Sequence, residues 1–541
     1  MKRRKYIRPT SLQVAGGIPA QQQVVVEPTL GYDASQPPTD LKPGATPDSS
    51  NMIAEDGYLT PRSGLSNFGG STDLLDIALF CTEHHSVDGS RYALIGSGLT
   101  LDYFDGANWS DISYVPTLAT DDQLSGDSTG ILNVCSVYDA ATDENLAIIT
   151  NNINVPKTWE PGSATYSDLS DFMSVSSFAR VPYSLDNRLC FFNTASSTTT
   201  YATRVRWSER GLASNFSTYG AGFEDLMDMT GVGMGVAVRE YDALLFSTEE
   251  VWLQQPRRDN FAFNFVALNR GIGCPYPKTI AKTPQGVIFM TRELEPYIVT
   301  GAQVSPIGPG IHQKLRDTIL NSSNAFGLYN SKRQRYELYY DTGSTEGWCN
   351  KGIYLDMDRG SWLPIDLHDH SLGCGAEVGA DLGSDMYWDG IAQTWDEIDT
   401  AWDDMVQETT QDKDVMVVSS VGTVYRFRDE QMTDDGSTIT AYWTSHALST
   451  PDPTHKCSLT EVVAEYKATD EGSYVLETRG SPAAAYTSAS TYTYNNSPQG
   501  DRQYLTPFVT GDHPQFKITV SDAKRPRFGR FAVRTRDAGQ F

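Results

Sequence analysis

Seven times between residues 91 and 413, a short apolar run opens straight after a turn. The runs are RYALIGSG near 91, NLAIITNN near 145, NRLCFFNT near 187, YDALLFST near 241, PQGVIFMT near 285, RYELYYDT near 335 and KDVMVVSS near 413. The steps between them are 54, 42, 54, 44, 50 and 78 residues. Around the first run, apolar residues alternate over 92–96 and again over 99–104, and GSG and DGAN turn the chain between strands. Period-two alternation with such turn chemistry describes a meander of short antiparallel strands. Four strands per repeat at about 40 to 50 residues is the period of propeller blades. The expected fold is therefore all-β: a β-propeller over residues 61–430, an N-terminal extended arm over 1–60, and a C-terminal antiparallel β domain, sandwich or barrel, over 431–541. The arm is inferred from the Pro, Gln, Ser and Thr richness of residues 9–50, which show almost no periodicity.

The last step is about 30 residues too long for one blade. The excess falls at about 366–414, a stretch with fourteen Asp or Glu and a single Lys. It holds Trp388, Trp395 and Trp402, seven apart, interrupted by Gly390. It reads as an acidic insertion projecting from one blade. Asp389, Asp396, Glu397, Asp399, Asp403 and Asp404 are the candidate residues for a tip or a channel lining.

The net charge is −26, which disfavours a surface that grips DNA or anionic membrane. The ends run against this balance. Lys2, Arg3, Arg4, Lys5 and Arg8 lie in the first eight residues, and Lys524, Arg525, Arg527, Arg530, Arg534 and Arg536 near the other end. Basic ends on an acidic body suggest ends that dock. The basic start is followed by polar and small residues, so neither a secretion signal nor a membrane span is expected. Seven cysteines, an odd number with no CxxC, suit buried free thiols.

Signals for chemistry are sparse. His368 and His370 could share a strand face, but a third metal ligand at suitable spacing is missing. GVGMG at 231–235 lacks the spacing and lysine of a phosphate loop. Cys274 lies in NRGIGCPYPKTI with no histidine near in sequence, so it reads as a small apolar residue in a rigid turn. FDGANW (104–109) and MDRGSW (357–362) resemble the Asp-box hairpins of sialidase-like propellers. A sialidase would also need converging arginines, for which Arg188, Arg204, Arg206, Arg239 and Arg292 are the candidates. The expectation is no catalytic residue, no cofactor, no metal and no enzymatic activity.

Two stretches resemble the tail nozzle, or packaged-DNA stabilisation, proteins of short-tailed bacteriophages. In NMIAEDGYLTPRSGL (51–65), Asn51, Met52, Gly57, Tyr58, Leu59, Arg62 and Gly64 look like that family's first motif, with Asn and Met adjacent rather than spaced. Further on, Gly271, Ile272, Tyr276, Lys278 and Thr279 look like its Gly-Ile…Tyr…Lys-Thr loop, and Gly301, Gln303, Val304, Ser305, Pro306 and Ile307 look like its Gly-x-Gln-Val-Ser-Pro-Ile segment. The acidic Trp-rich insertion departs from the pattern.

The resemblance implies a homo-hexameric ring below the portal and adaptor of a virion tail, made in the host cytoplasm. Such a ring closes the DNA channel, retains the packaged genome and conducts DNA during ejection. Its partners would be the adaptor, tail spikes or fibres, and double-stranded DNA passing without sequence-specific binding, with no membrane anchor. Six acidic copies would repel phosphates along a lumen and let DNA slide. The alternatives are a tail-associated propeller binding module for fibres or host receptor, and a glycosidase.

Overall fold

The computed structural model describes residues 21–540, except 380–412, most of 113–131 and several shorter loop stretches. The fold is all-β. Among the described residues, seven four-stranded antiparallel sheets follow one another along the chain. Blade 1 is Phe80–His85, Arg91–Gly96, Leu101–Phe104 and Trp109–Asp111. Blades 2 to 6 begin at Asn133, Phe178, Gly233, Ala281 and Asn321 in the same four-strand order. Blade 7 joins both halves of the chain: Leu372–Gly379, Lys413–Ser419 and Val424–Arg428 are completed by Gly64–Asn67. That closing strand pairs in register from Gly64 opposite Arg428 to Asn67 opposite Tyr425. The first strand of blade 7 also packs on the first strand of blade 1, so the ring is closed.

The seven apolar runs are the second strands of the seven blades. A second strand has a strand on each side, and its two faces meet two neighbouring blades. Both faces are buried, so the run is continuously apolar: Leu244, Leu245 and Phe246 have no exposure at all. Each junction between blades holds its own apolar cluster. Val181, Tyr183 and Phe192 meet Leu245 and Trp252 between blades 3 and 4. Cys374, Met416 and Val418 meet Ala93, Ile95 and Phe104 at the closure between blades 7 and 1. The long step near 413 is spent in the first hairpin of blade 7, between Leu372–Gly379 and Lys413–Ser419.

The N-terminal region runs in extended strands and loops along the C-terminal domain. Gln21–Val26, Ser49–Ser50, Met52–Glu55 and Tyr58–Pro61 are strands of the C-terminal domain, which is a two-sheet sandwich. In one sheet Gln21–Val26 and Tyr58–Pro61 both pair with Arg527–Gln540, while His455–Ala468 pairs with its long edge. In the other, Ser49–Ser50 pairs with Ala441–Thr444, beside Gln515–Val520 and Gly472–Arg479. Between the sheets Trp443 stacks on Phe531, with ring centroids 5.7 Å apart, and Phe516 meets both. Val26 is fully buried in this core while Val25 is half exposed. Two or three alternating residues are too short a run to stand out in a Pro- and Gln-rich sequence.

Arginines of the basic C-terminal stretch are paired within the domain. Arg534 pairs with Glu461 at 2.5 Å, Arg530 with Glu465 at 3.1 Å and Arg525 with Glu55 at 2.9 Å. These are bridges within the sandwich sheet.

Candidate functional site

The first family-like stretch forms the seam between sandwich and propeller. Asp56 and Gly57, both with positive φ, make the two-residue turn of a hairpin between Met52–Glu55 and Tyr58–Pro61. Asn51, itself at φ 56°, accepts from Arg62 Nε at 2.9 Å and from the Asp366 amide at 2.8 Å, and donates to Thr440 O at 3.0 Å. The Arg62 guanidinium forms a buried ion pair with Asp434 and donates to Ser63 O and Asp366 O, both at 3.0 Å. Asp434 also accepts from the amide of Leu65 on the closing strand. One buried cluster thus ties the sandwich, the closing strand and blade 6 together. Asp434 and Asp366 carried no sequence signal, because their partners lie hundreds of positions away.

Close by, Arg335 pairs with Glu337 at 2.5 Å, and Tyr339 Oη donates to Glu337 at 2.6 Å. Burial pushes the Glu337 carboxyl up, but the Arg335 guanidinium and these hydrogen bonds outweigh it and hold it below the usual carboxylate range.

The second family-like stretch is the bridge from blade 4 into blade 5. Gly271 sits at φ 98°, where a side chain is strained. At Gly273 a Cβ would come within 2.4 Å of Glu249 N and 2.5 Å of Ser247 O, so only glycine fits. Cys274 N then donates to Ser247 O at 2.8 Å, and its Sγ to Tyr276 O at 3.2 Å. A 3-10 turn at Pro277–Thr279 presents Thr279 Oγ1 to the Met290 amide at 3.1 Å, and Tyr336 Oη of blade 6 donates to Thr279 O at 3.0 Å. Burial pushes the Cys274 thiol up to about 12, so it stays protonated and unreactive. Burial lowers Lys278, an effect that nearby Cys374 and Cys349 partly oppose. Ile272 packs on the junction between blades 4 and 5, and Tyr276 on that between blades 5 and 6.

The remaining family-like residues lie at the other edge of blade 5. Gln303, Val304, Ser305 and Pro306 are its outermost strand, and Ile307 O accepts from Trp362 Nε1 of blade 6 at 3.0 Å. The loop and this strand flank one sheet and do not form one pocket. Asp389, Asp396, Glu397, Asp399, Asp403 and Asp404 lie outside the described residues, as does His368.

The two Asp-box-like turns brace their own hairpins. Asp105 accepts from the Asn108 amide, and Asp356 from the amides of Asp358 and Arg359. Arg188, Arg204, Arg239 and Arg292 are held by separate partners, namely Gly220 O, Asp225, Asp242 and Glu249, whereas Arg206 joins Arg204 over the Phe223 ring, at 4.9 and 4.2 Å. GVGMG runs into the first strand of blade 4, where a Cβ on Gly233 would meet the Phe192 ring at 2.6 Å.

Sequence reasoning missed an open groove of about 790 Å³ between the outermost strands of blades 3 and 4, Gly222–Asp225 and Phe263–Arg270. Tyr219 is fully exposed, Met227 is 85% exposed, Phe261 66% and Phe223 48%. Trp207 and Phe263 meet edge to face at its floor, 5.2 Å apart. On its rim Arg204 lies over the rings of Tyr201 and Phe223, at 3.4 and 4.2 Å, while paired bidentately with Asp225. The residues come from two turns and two edge strands about 40 positions apart, and only packed blades bring them together.

No family model and no curated protein matches the chain. Among solved structures it is similar to an exo-β-1,3-galactanase from Phanerochaete chrysosporium, at 9% identity and a TM-score of 0.26, over 88% of this chain and 100% of that one. It is similar to a glycoside hydrolase family 43 arabinoxylan arabinofuranohydrolase from Bacillus subtilis at 8% identity and a TM-score of 0.24, over 95% and 99%. Kluyveromyces lactis Hsv2p is similar at 8% and 0.23, over 53% and 96%. The expectation of no enzymatic activity is corrected by these comparisons: hydrolases stand among the similar structures, and that exclusion is withdrawn. A likeness this distant assigns no reaction to this chain.

Proposed function

We propose that the chain is a ring-forming structural subunit of a short-tailed phage nozzle, placed below the adaptor, through whose lumen DNA is held and then released. One observation carries this reading. The family-like residues Asn51, Arg62 and the Gly271–Thr279 bridge all serve to fix blades and sandwich to one another. A scaffold common to a family of ring subunits has that distribution, since its shared residues maintain shape. Six copies, each at −26, would surround the lumen with net negative charge and favour release over retention on the walls. A second reading, a tail-associated propeller binding module, is favoured by the exposed aromatic groove on blades 3 and 4.

Reconstruction of the purified full-length chain and of tails separates the two. The nozzle reading expects a six-fold ring with an open axis, in register with the tail. A monomer that binds cells or isolated fibres would favour the binding module. Turnover of a chromogenic glycoside by a monomer would replace both.

A further inference from the structure

The groove on blades 3 and 4 brings the exposed side chains of Tyr219, Phe223, Met227 and Phe261 together, and its chemistry specifies what covers it. Aromatic rings and methionine are the side chains enriched at the centres of protein interfaces. Glu224 and Asp228 add two exposed carboxylates with no ion-pair partner among the described residues, against one lining arginine, Arg257, which lies over the Phe261 ring at 5.2 Å. The rim already shows how such a surface holds a cation, with Arg204 lying on Tyr201 and Phe223 and clamped by Asp225. A partner segment offering several guanidinium or ammonium groups with a little apolar surface fits it.

The chain carries one such segment. Lys2, Arg3, Arg4, Lys5 and Arg8 flank Tyr6 and Ile7, ahead of the first described strand at Gln21. The other basic stretch, near the C-terminus, has Arg525, Arg530 and Arg534 bridged to carboxylates within the sandwich. We propose that the groove formed by Tyr219, Phe223, Met227 and Phe261 with Glu224 and Asp228 binds the basic segment 1–8 of a second copy of this chain. The choice of a second copy rests on the ring reading above and on placement. The segment is rooted in the sandwich, which packs on blades 6 and 7, while the groove lies on blades 3 and 4, across the propeller. A donor on one side and an acceptor on the other make a head-to-tail contact, the kind that closes into a ring.

A fluorescently labelled peptide of residues 1–20 tests this against full-length chain in which Lys2, Arg3, Arg4, Lys5 and Arg8 are changed to Ser, so that the groove is vacant. The peptide is expected to bind and to lose at least tenfold in affinity when Glu224→Lys and Asp228→Lys are added, both exposed positions that leave the thermal midpoint in place. Binding should also weaken several-fold between about 0.05 and about 0.5 M salt, as contacts between exposed charges do. Equal binding to the charge-reversed groove, or no binding, overturns the proposal. Cross-linking in a mixture of isotope-labelled and unlabelled parent chains decides the donor. Links from Lys2 or Lys5 to Glu224 or Asp228 should join the two labels, and links confined to one label overturn the second-copy assignment. A six-fold ring that survives the charge reversal sinks this inference alone. Groove-dependent binding without any ring sinks the nozzle reading alone.

Discussion

Arg62 and Asp434 show how a few buried charges fix this fold. The pair is almost fully excluded from water, and removing one partner leaves the other charged and unmatched. Arg62→Ala is expected to cost about 3–5 kcal/mol, read as a lower denaturant midpoint. Cys274→Ser is expected to be mild, about 1–2 kcal/mol, because a hydroxyl keeps the bond to Tyr276 O but enters an apolar cluster. In the parent, Cys274 should resist iodoacetamide until the protein unfolds.

Acid should reveal the buried histidines. His84, between Ser136 Oγ and the Asn145 carbonyl, and His446 are both pulled down to about 4 by burial. Their folded values lie below the unfolded value of about 6.5, so their contribution is complete above about 6.5 and lost as pH falls toward 4. Asp102 acts in the opposite sense. Burial, with Asp111 adding repulsion, raises it to about 7, so its contribution is complete below the unfolded value of about 4 and is lost as pH rises through 7. Asp102→Asn should therefore be more stable than the parent at pH 8, and should lose more on acidification to pH 4. Thermal midpoints across that range check both signs. Cys274 was legible in sequence because its neighbours are glycines and prolines. Asp434 was not, since its partner Arg62 is 372 positions distant.

At the scale of elements, the second strands of the blades were legible and the N-terminal strands were not, for one physical reason. A strand buried on both faces must be apolar throughout and stands out in any composition. An edge strand such as Gln21–Val26 buries one face of six residues and is otherwise solvated. The closing strand Gly64–Asn67 belongs with the hidden ones. It is four residues long, and only Leu65 enters the junction between blades 6 and 7. Leu65→Ala is expected to cost about 2–5 kcal/mol. The loss should show as faster hydrogen exchange in Val424–Arg428 and in Leu372–Gly379, while exchange in blades 3 and 4 stays as in the parent. Uniform acceleration across all blades would mean that the ring does not open at this seam.

At the scale of the whole molecule, the chain returns on itself twice. Its N-terminal strands enter the C-terminal sandwich, and its closing strand completes the last blade. Propeller and sandwich are therefore not independent beads, and a cut near residue 430 would strip the sandwich from Gln21–Val26, Ser49–Ser50 and Tyr58–Pro61. The blade period gave away the propeller, whereas the discontinuous sandwich left no period to find. Under the nozzle proposal, the charge balance would suit a wall along which DNA slides, and the groove on blades 3 and 4 would be left for a neighbour. A three-dimensional reconstruction of the full-length chain, alone and in tails, tests the central claim most directly. The account predicts six copies around an open axis, with more carboxylates facing the lumen than the outer wall. A monomer, or a ring whose lumen is basic, would contradict it.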